Sequence, residues 1–404
     1  MEGIATRIDF QLVPTAVELE AVEVEATAEQ GSEAQELDDR IRALEITDAL
    51  ASDALRSMPD PDIAQVVRRA TGVSTMGGDP IIRGLGVRYS KVTLNNAQLA
   101  GTEPNRSAVS LELFPAAMMQ QVKVNKSYMP DQFGEFGGGV VDMNTWEFPG
   151  KSSLSFSLSG SYNTQTTGSN FLTYDGGNWD FLGFDDGTRA LPWYVDRQDK
   201  IDYLPTHQID YIARSFDNIW QPVPKDAGIN QSYTFSYSNS FKFAGKTLGF
   251  IASGLYRNSY NSRDYRHIAY TEENGRSLID FNVEEYHHKI TVGGIGAFRY
   301  ELNPVTILSF TTLYNRNTND ETRNYGGYNT TEGLDVRYNF LRYIGETIWA
   351  NQLGGTHALP GLWKSNFNWK VSYTRGSRYE PNTRQVGFIQ MEDPTGATDS
   401  TRWV

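Results

Sequence analysis

Cysteine is missing from all 404 residues, which excludes disulfide staples and thiolate metal sites and leaves the redox compartment open. No run approaches the roughly 18–20 apolar residues that a membrane-crossing helix needs. Positive charge is in deficit: the formal net charge is −13, so no broad attraction to nucleic acid is expected. The start, "MEGIATRIDFQL", lacks the basic, apolar and small-residue regions of a secretory signal. Catalytic motifs are missing as well. There is no nucleophile elbow and no phosphate loop, and paired acids fall only in loop-like stretches, so no enzyme is expected. The absence of an apolar helix leaves a membrane β-barrel open, because alternating strands dilute their lipid-facing residues with polar neighbours.

What is present divides in two. Residues 32–70 are rich in Glu, Asp, Ala, Leu and Arg; after about residue 150, Ser, Thr, Asn, Gly and Tyr take over, with Pro149 and Gly150 at the break. In "KSSLSFSLSGSYNTQT", 151–166, small polar residues alternate with Leu154, Phe156, Leu158, Gly160 and Tyr162. That is the period of a strand with one apolar and one wet face. Alternating segments recur at 232–243, 247–260, 288–302, 305–317, 343–357 and 365–376, giving about seven strands. The links between them alternate in length: 167–229 is long, "AGK" short, 261–286 long, the "NP" link short, 317–340 long, "LPGLW" short. Tight turns at one end and long loops at the other are the asymmetry of an outer-membrane barrel, with Leu154, Phe156, Leu158 and Tyr162 toward lipid and the serines toward a wet lumen.

The first 150 residues read as a small α+β unit. "TRIDFQLVP", 6–14, alternates as one strand, and "VELEAVEVEATAEQGSEAQ" follows as an apolar and acidic stretch running into a linker. "EAQELDDRIRALEITDALASDALRS" has helical content. A helix in "PDPDIAQVVRRATGV" is expected to be capped by Asp60, with Pro61 at its first position, Asp62 in its first turn and Gly72 past its end. Strands are expected at 80–83 and 90–94, with "NNAQ" as a hairpin turn, and again at "MQQVKVNK" and after the glycines of "FGEFGGGVVDMNT".

The ordered set "RATGVST", "IIRG", "VTLNNAQL", "LELFP", "VKVNK" and "FGEFGGGVVDMNT", over roughly residues 45–147, resembles the plug domain of TonB-dependent outer-membrane transporters. The resemblance implies an α+β plug at 32–149 followed by an antiparallel transmembrane β-barrel from 150–404. Barrels of that kind have about 22 strands, so the chain is expected to hold the first part of one, cut at both ends. It further implies a Gram-negative outer-membrane location and active uptake of a scarce nutrient, an iron chelate or similar. "ELEAVEVEA", 18–26, looks like the TonB box that follows a carboxypeptidase-regulatory-like domain in Bacteroidetes-type transporters. That makes 1–17 the end of such a domain and 18–31 the box and linker. Glu23 and Glu25 depart from the usual box by standing where apolar residues or Thr are common.

On this resemblance Leu19, Glu20, Ala21, Val22, Glu23 and Val24 would meet TonB, itself coupled to the ExbB/ExbD complex of the inner membrane. Arg83 and Lys126 match plug positions where the family keeps basic residues facing barrel-wall carboxylates, and would form a latch or a fixed ion pair. The glycines at 84 and 137–139 suit tight turns. Trp179, Trp193 and Tyr194 in the long first loop could stack a ring-bearing substrate, or simply hold the loop together. "DFLGFDDG" lacks the alternating oxygen ligands of a calcium loop. The adjacent His287 and His288 point to opposite faces of a strand and make no metal site; no cofactor is expected. A passive porin or surface adhesin, or a soluble glycan-binding β protein, remain as alternatives.

Overall fold

The computed structural model describes residues 47–51, 54–55, 62–103, 109–128, 137–145, 152–196, 205–271, 275, 277–391 and 402–403. Strand 6–14, the box at 18–26 and the first part of the expected helix at 33–57 lie outside them.

The N-terminal unit holds β1 (Thr47–Ala51), helix α1 (Ile63–Val67), β2 (Val73–Met76), β3 (Asp79–Ile82), β4 (Ser90–Leu94), β5 (Ala97–Gln98), β6 (Met119–Asn125) and β7 (Gly139–Thr145). Five strands form one sheet in the order β1-β6-β7-β4-β5, with only β4 and β7 parallel. The hairpin at 95–96 is as expected: Asn95 and Asn96 both take positive φ, the geometry of a tight two-residue turn. Two expectations fail. Thr47–Ala51 is a strand rather than helix, because pairing with β6 along Thr47–Ala51 outweighs the helical propensity of Ala and Leu. The cap of α1 is Asp62, whose carboxylate accepts from the Gln65 amide at 3.0 Å; Asp60 lies outside the described residues.

The second unit is an antiparallel wall. Its strands are β8 (Ser153–Ser161), then, after the short antiparallel pair of β9 (Asn170–Thr173) with β10 (Val223–Asp226), β11 (Asn230–Phe243), β12 (Lys246–Tyr270), β13 (Ser277–Asn303), β14 (Thr306–Asn329), β15 (Leu334–Leu359), β16 (Ser365–Tyr379), β17 (Arg384–Met391) and β18 (Arg402–Trp403). Helices α2 (Trp193–Asp196) and α3 (Thr206–Ser215) lie in the connection between β9 and β10. Each wall strand pairs with its sequence neighbour. β16 and β17 both pair with β15, along 345–359 and 336–341, so they form one strand interrupted at 380–383. The expected seven strands are present.

The loop pattern needs correction. Two of the stretches read as long loops are mostly strand: β12 continues to Tyr270 and β13 starts at Ser277, while β14 runs to Asn329 and β15 starts at Leu334. Charged side chains hid these extensions, yet a paired neighbour satisfies the backbone whatever the side chains are. Only the connection from β8 to β11 remains a long loop.

The wall has two faces. Leu154, Phe156, Leu158, Phe235, Phe298, Phe310, Leu353, Phe367 and Val371 point outward and are exposed. Opposite them, Ser153 meets Ser238 and Ser236 meets Ser253, each at 2.8 Å, on the inward face. Tyr233, Tyr256, Tyr314, Trp349 and Tyr373 edge the apolar face at one end; Phe243, Trp363 and Phe367 edge it at the other. On β12 the step from Lys246 to Tyr256 is about 34 Å along the strand, or about 26 Å along the barrel axis at a tilt of about 40°, which matches an apolar band of about 25 Å.

The plug unit sits on the inward face. Its core of Ile63, Val67, Leu94, Leu111, Phe114, Met118 and Val141 is continuous with Leu255, Ile295, Leu313, Ile348 and Ala350 of the wall. Polar contacts complete the seat: Gln352 donates to the Leu94 carbonyl at 2.7 Å, Asn95 donates to Gln352 at 3.0 Å, and Asn315 donates to the Leu113 carbonyl. At Gly376 the wall backbone lies so close to the Gly101 carbonyl that any Cβ would collide with it. Placing an arginine at Phe156, in the outward band, should cost about 2–4 kcal/mol; a reduced folded fraction on heat-modifiability gels in bilayers checks this, and Ser155→Arg, on the wet face, should cost less.

Candidate functional site

The box residues Leu19, Glu20, Ala21, Val22, Glu23 and Val24 fall outside the described residues. Lys126, at the end of β6, is buried, and its ammonium pairs with Asp48 of β1 inside the plug, not with a wall carboxylate. Asp48 also accepts from the Thr71 amide at 3.2 Å, so one carboxylate fastens the edge strand β1 to the rest of the plug. Arg83 is exposed, at positive φ, in the turn after β3. Sequence could not separate these cases, since it carries no distances. Gly139 is where close approach demands glycine, because a Cβ would meet the Ile82 side chain and the Asn125 carbonyl at 2.6–2.9 Å.

The aromatic loop residues do not converge on a cavity. Trp179 stacks on Phe181 with centroids 6.3 Å apart, Trp193 meets Tyr194 edge-on at 5.6 Å, and Tyr194 meets Tyr211 at 6.4 Å. The loop lies against the outward face of the strand extensions, away from the plug. The Gly183 carbonyl accepts from Thr318 at 2.9 Å and Tyr343 at 3.1 Å, and Phe171 packs edge-on against Tyr260 and Tyr286. At its centre is buried Arg189, which pairs with Asp180 at 2.6 Å, Asp185 at 3.2 Å and Asp320 at 3.2 Å while lying over the Tyr343 ring. One cation faces three carboxylates. Burial pushes Asp320 up to about 7, against the pull of Arg189 and Tyr174, and Asp180 adds to the rise. A carboxyl raised on folding stabilises below its unfolded pKa and loses that contribution as pH rises through the folded value. The loop should therefore be held more tightly at pH 5 than at pH 8; hydrogen exchange over 166–226 checks this, and Asp320→Asn should flatten the dependence.

On the inward face, above the plug, the strand extensions carry a charged cluster. Arg263 donates to Glu285 at 2.6 Å, Arg323 to Glu285 at 3.0 Å and also to Glu321, and Arg342 to Glu321 at 2.6 Å and 3.1 Å. The carboxylates are hidden, with side chains 3% and 1% exposed, while the guanidiniums show 62%, 32% and 30%. Burial disfavours the Glu285 charge, but the Arg263 hydrogen bond with the charges of His287 and Arg323 brings its pKa below the ordinary carboxylate range. His287 reaches Glu285 at 3.3 Å from this face, whereas His288 points outward and stacks on Tyr260 at 4.3 Å, so the pair splits as expected. Just below, Lys289 faces plug Glu112 at 3.6 Å, and Arg378 bridges plug Glu103 at 3.2 Å and wall Glu346 at 3.5 Å. The signal was in the sequence: Phe281, Val283, Glu285 and His287 keep the two-residue period.

A small α+β unit seated on the inward face of an alternating wall whose outward face is apolar is the architecture of a plugged β-barrel. Residues 39–141 match the TonB-dependent Receptor Plug Domain family model. No curated protein matches the chain. Among solved structures it is similar to the siderophore receptor PirA from Pseudomonas aeruginosa, at 10% identity and TM-score 0.29 over 85% of this chain and 58% of that one. It is likewise similar to the outer membrane transporter YddB from Escherichia coli, at 9% identity and TM-score 0.27 over 85% of this chain and 56% of that one. For the ferric citrate transporter FecA, unliganded, the figures are 12%, 0.28, 87% and 60%. The chain thus spans 56–60% of the length of these structures.

Proposed function

We propose that the chain contributes the plug and first wall strands of a transporter that takes up a scarce anionic nutrient, an iron chelate or similar, on energy delivered through TonB. The observation that carries this is the row of guanidiniums over the buried Glu285 and Glu321, with Arg263 exposed and Arg323 and Arg342 half-buried. With its carboxylates hidden, the lumenal surface above the plug presents N–H donors and positive charge, which suit carboxylate or phenolate oxygens. Arg263→Gln, the most exposed of the three, should weaken binding of an anionic chelate to the full-length receptor by about 10-fold or more, as expected for a hydrogen bond to a charged group. Titration calorimetry measures this. A neutral cargo, indifferent to the change, would turn the assignment toward another nutrient class.

Coupling runs from the N-terminus. Residues 18–31 supply the box and linker after a regulatory-like β domain ending at 17, in the Bacteroidetes-type arrangement. Leu19 to Val24 pair with TonB by strand addition, a main-chain interaction in which side-chain departures such as Glu23 are tolerable. Tension on the box reaches β1 first, and β1 is an edge strand held by its pairing with β6 and by the Asp48–Lys126 pair. Lys126 is then the latch within the plug. Proline at Val22 fixes φ and removes an amide donor. It should abolish uptake of radiolabelled substrate by cells while leaving substrate binding intact. Dissipating the inner-membrane potential should give the same result; uptake that survives would favour a passive porin.

A further inference from the structure

We infer that the loop between β8 and β11 is an anchor in the outer leaflet, with Trp179 and Phe181 seated among the lipid headgroups and first methylenes. The inference rests on the membrane placement of the wall. Height is the first argument. Tyr256 ends the outward apolar band on β12, and its hydroxyl donates to the Phe181 carbonyl at 2.7 Å. That contact fixes Phe181 at about 26 Å above the lower turn, the upper edge of a band about 25 Å tall. Face is the second. The loop lies on the side of the wall that carries Phe298 and Phe310, opposite the plug, so these rings continue the lipid-facing surface and do not look into the lumen.

Rigidity is the third. Between the two rings Asp180 is drawn inward by Arg189 at 2.6–2.7 Å, and beyond them the Gly183 carbonyl is held by Thr318, Tyr343 and Arg316 from two strands. With the segment held between the rings and again just beyond them, Trp179 and Phe181 project together, stacked and 55% and 57% exposed. A fixed pair of exposed aromatic rings at this height is costly in water and favourable at a membrane interface, where an indole can bury its body and keep its N–H wet.

The absence of cysteine in this chain makes the test direct. Nitroxide-labelled Phe181→Cys in a cysteine-free full-length receptor, reconstituted in phosphatidylcholine–phosphatidylglycerol vesicles, is compared by power saturation with labels at Val371→Cys and Asn329→Cys. The label at 181 should be several-fold more accessible to oxygen than to a water-soluble nickel chelate, on the side of Val371 and shallower than it. A watery label at 181 beside a lipid-buried one at 371 overturns the anchor alone. Shielding of 181 from both oxygen and nickel, which means a protein partner, also overturns it. A watery label at 371 removes the membrane placement itself. As a second readout, Trp179→Phe should abolish a component of fluorescence quenched by lipids brominated near the headgroup, and an unchanged quenched fraction would count against the anchor.

Discussion

The structure depends on an uninterrupted ladder of antiparallel pairing. Registers run without a break from β8 through β11 to β15, with shifts only near the ends of β12 and β13. In hydrocarbon no water can satisfy a free amide or carbonyl, so each strand must find its partners in its neighbours. Once the backbone is satisfied in this way, the two faces are free to differ. The outward face carries Leu154, Phe156 and Phe298; the inward one carries serines, the plug seat and, higher up, a charged cluster. The same ladder continues past the apolar band into water, where it supports Glu285, Glu321 and their arginines on a stiff scaffold.

Seating the plug joins the two units. The apolar part of the seat is one core shared between plug and wall, in which Leu313 and Ile348 of the wall are fully buried together with Leu111 and Met118 of the plug. Around it the contacts turn polar and ionic, at Gln352, Glu346 and Arg378. A seat of this kind is firm yet hydrated at its rim, and ion pairs such as Arg378 with Glu103 are individually weak where water reaches them. The plug's own edge strand is fastened differently. Lys126 is buried against a half-buried Asp48, and losing that carboxylate would strand the ammonium away from water.

Reading strands by hydrophobic alternation succeeded where the apolar face meets lipid and failed where both faces are polar. Residues 153–161, 365–376 and the core of each hairpin alternate plainly. Residues 261–270 and 318–329 look like loop because Arg263, Asp264, Asp320 and Glu321 dominate them, yet they are paired throughout. For the same reason the inward cluster is not marked by hydrophobic alternation, although its members keep the period of a strand. Lys126 shows the opposite difficulty. Its position in the plug marked it as a buried cation, but only the fold could decide that its partner is Asp48, seventy-eight residues away.

Sequence by itself determined the two-unit organisation, the plug, the number of wall strands and which side chains share a face, because each follows from local periodicity, turn chemistry and an ordered set of motifs. Tertiary structure alone decided how far the strands extend, which carboxylate each cation takes, and that the aromatic loop folds against the outside of the wall. Those outcomes depend on pairing between distant segments, where one strand's backbone supplies what another lacks, and no local pattern records that exchange.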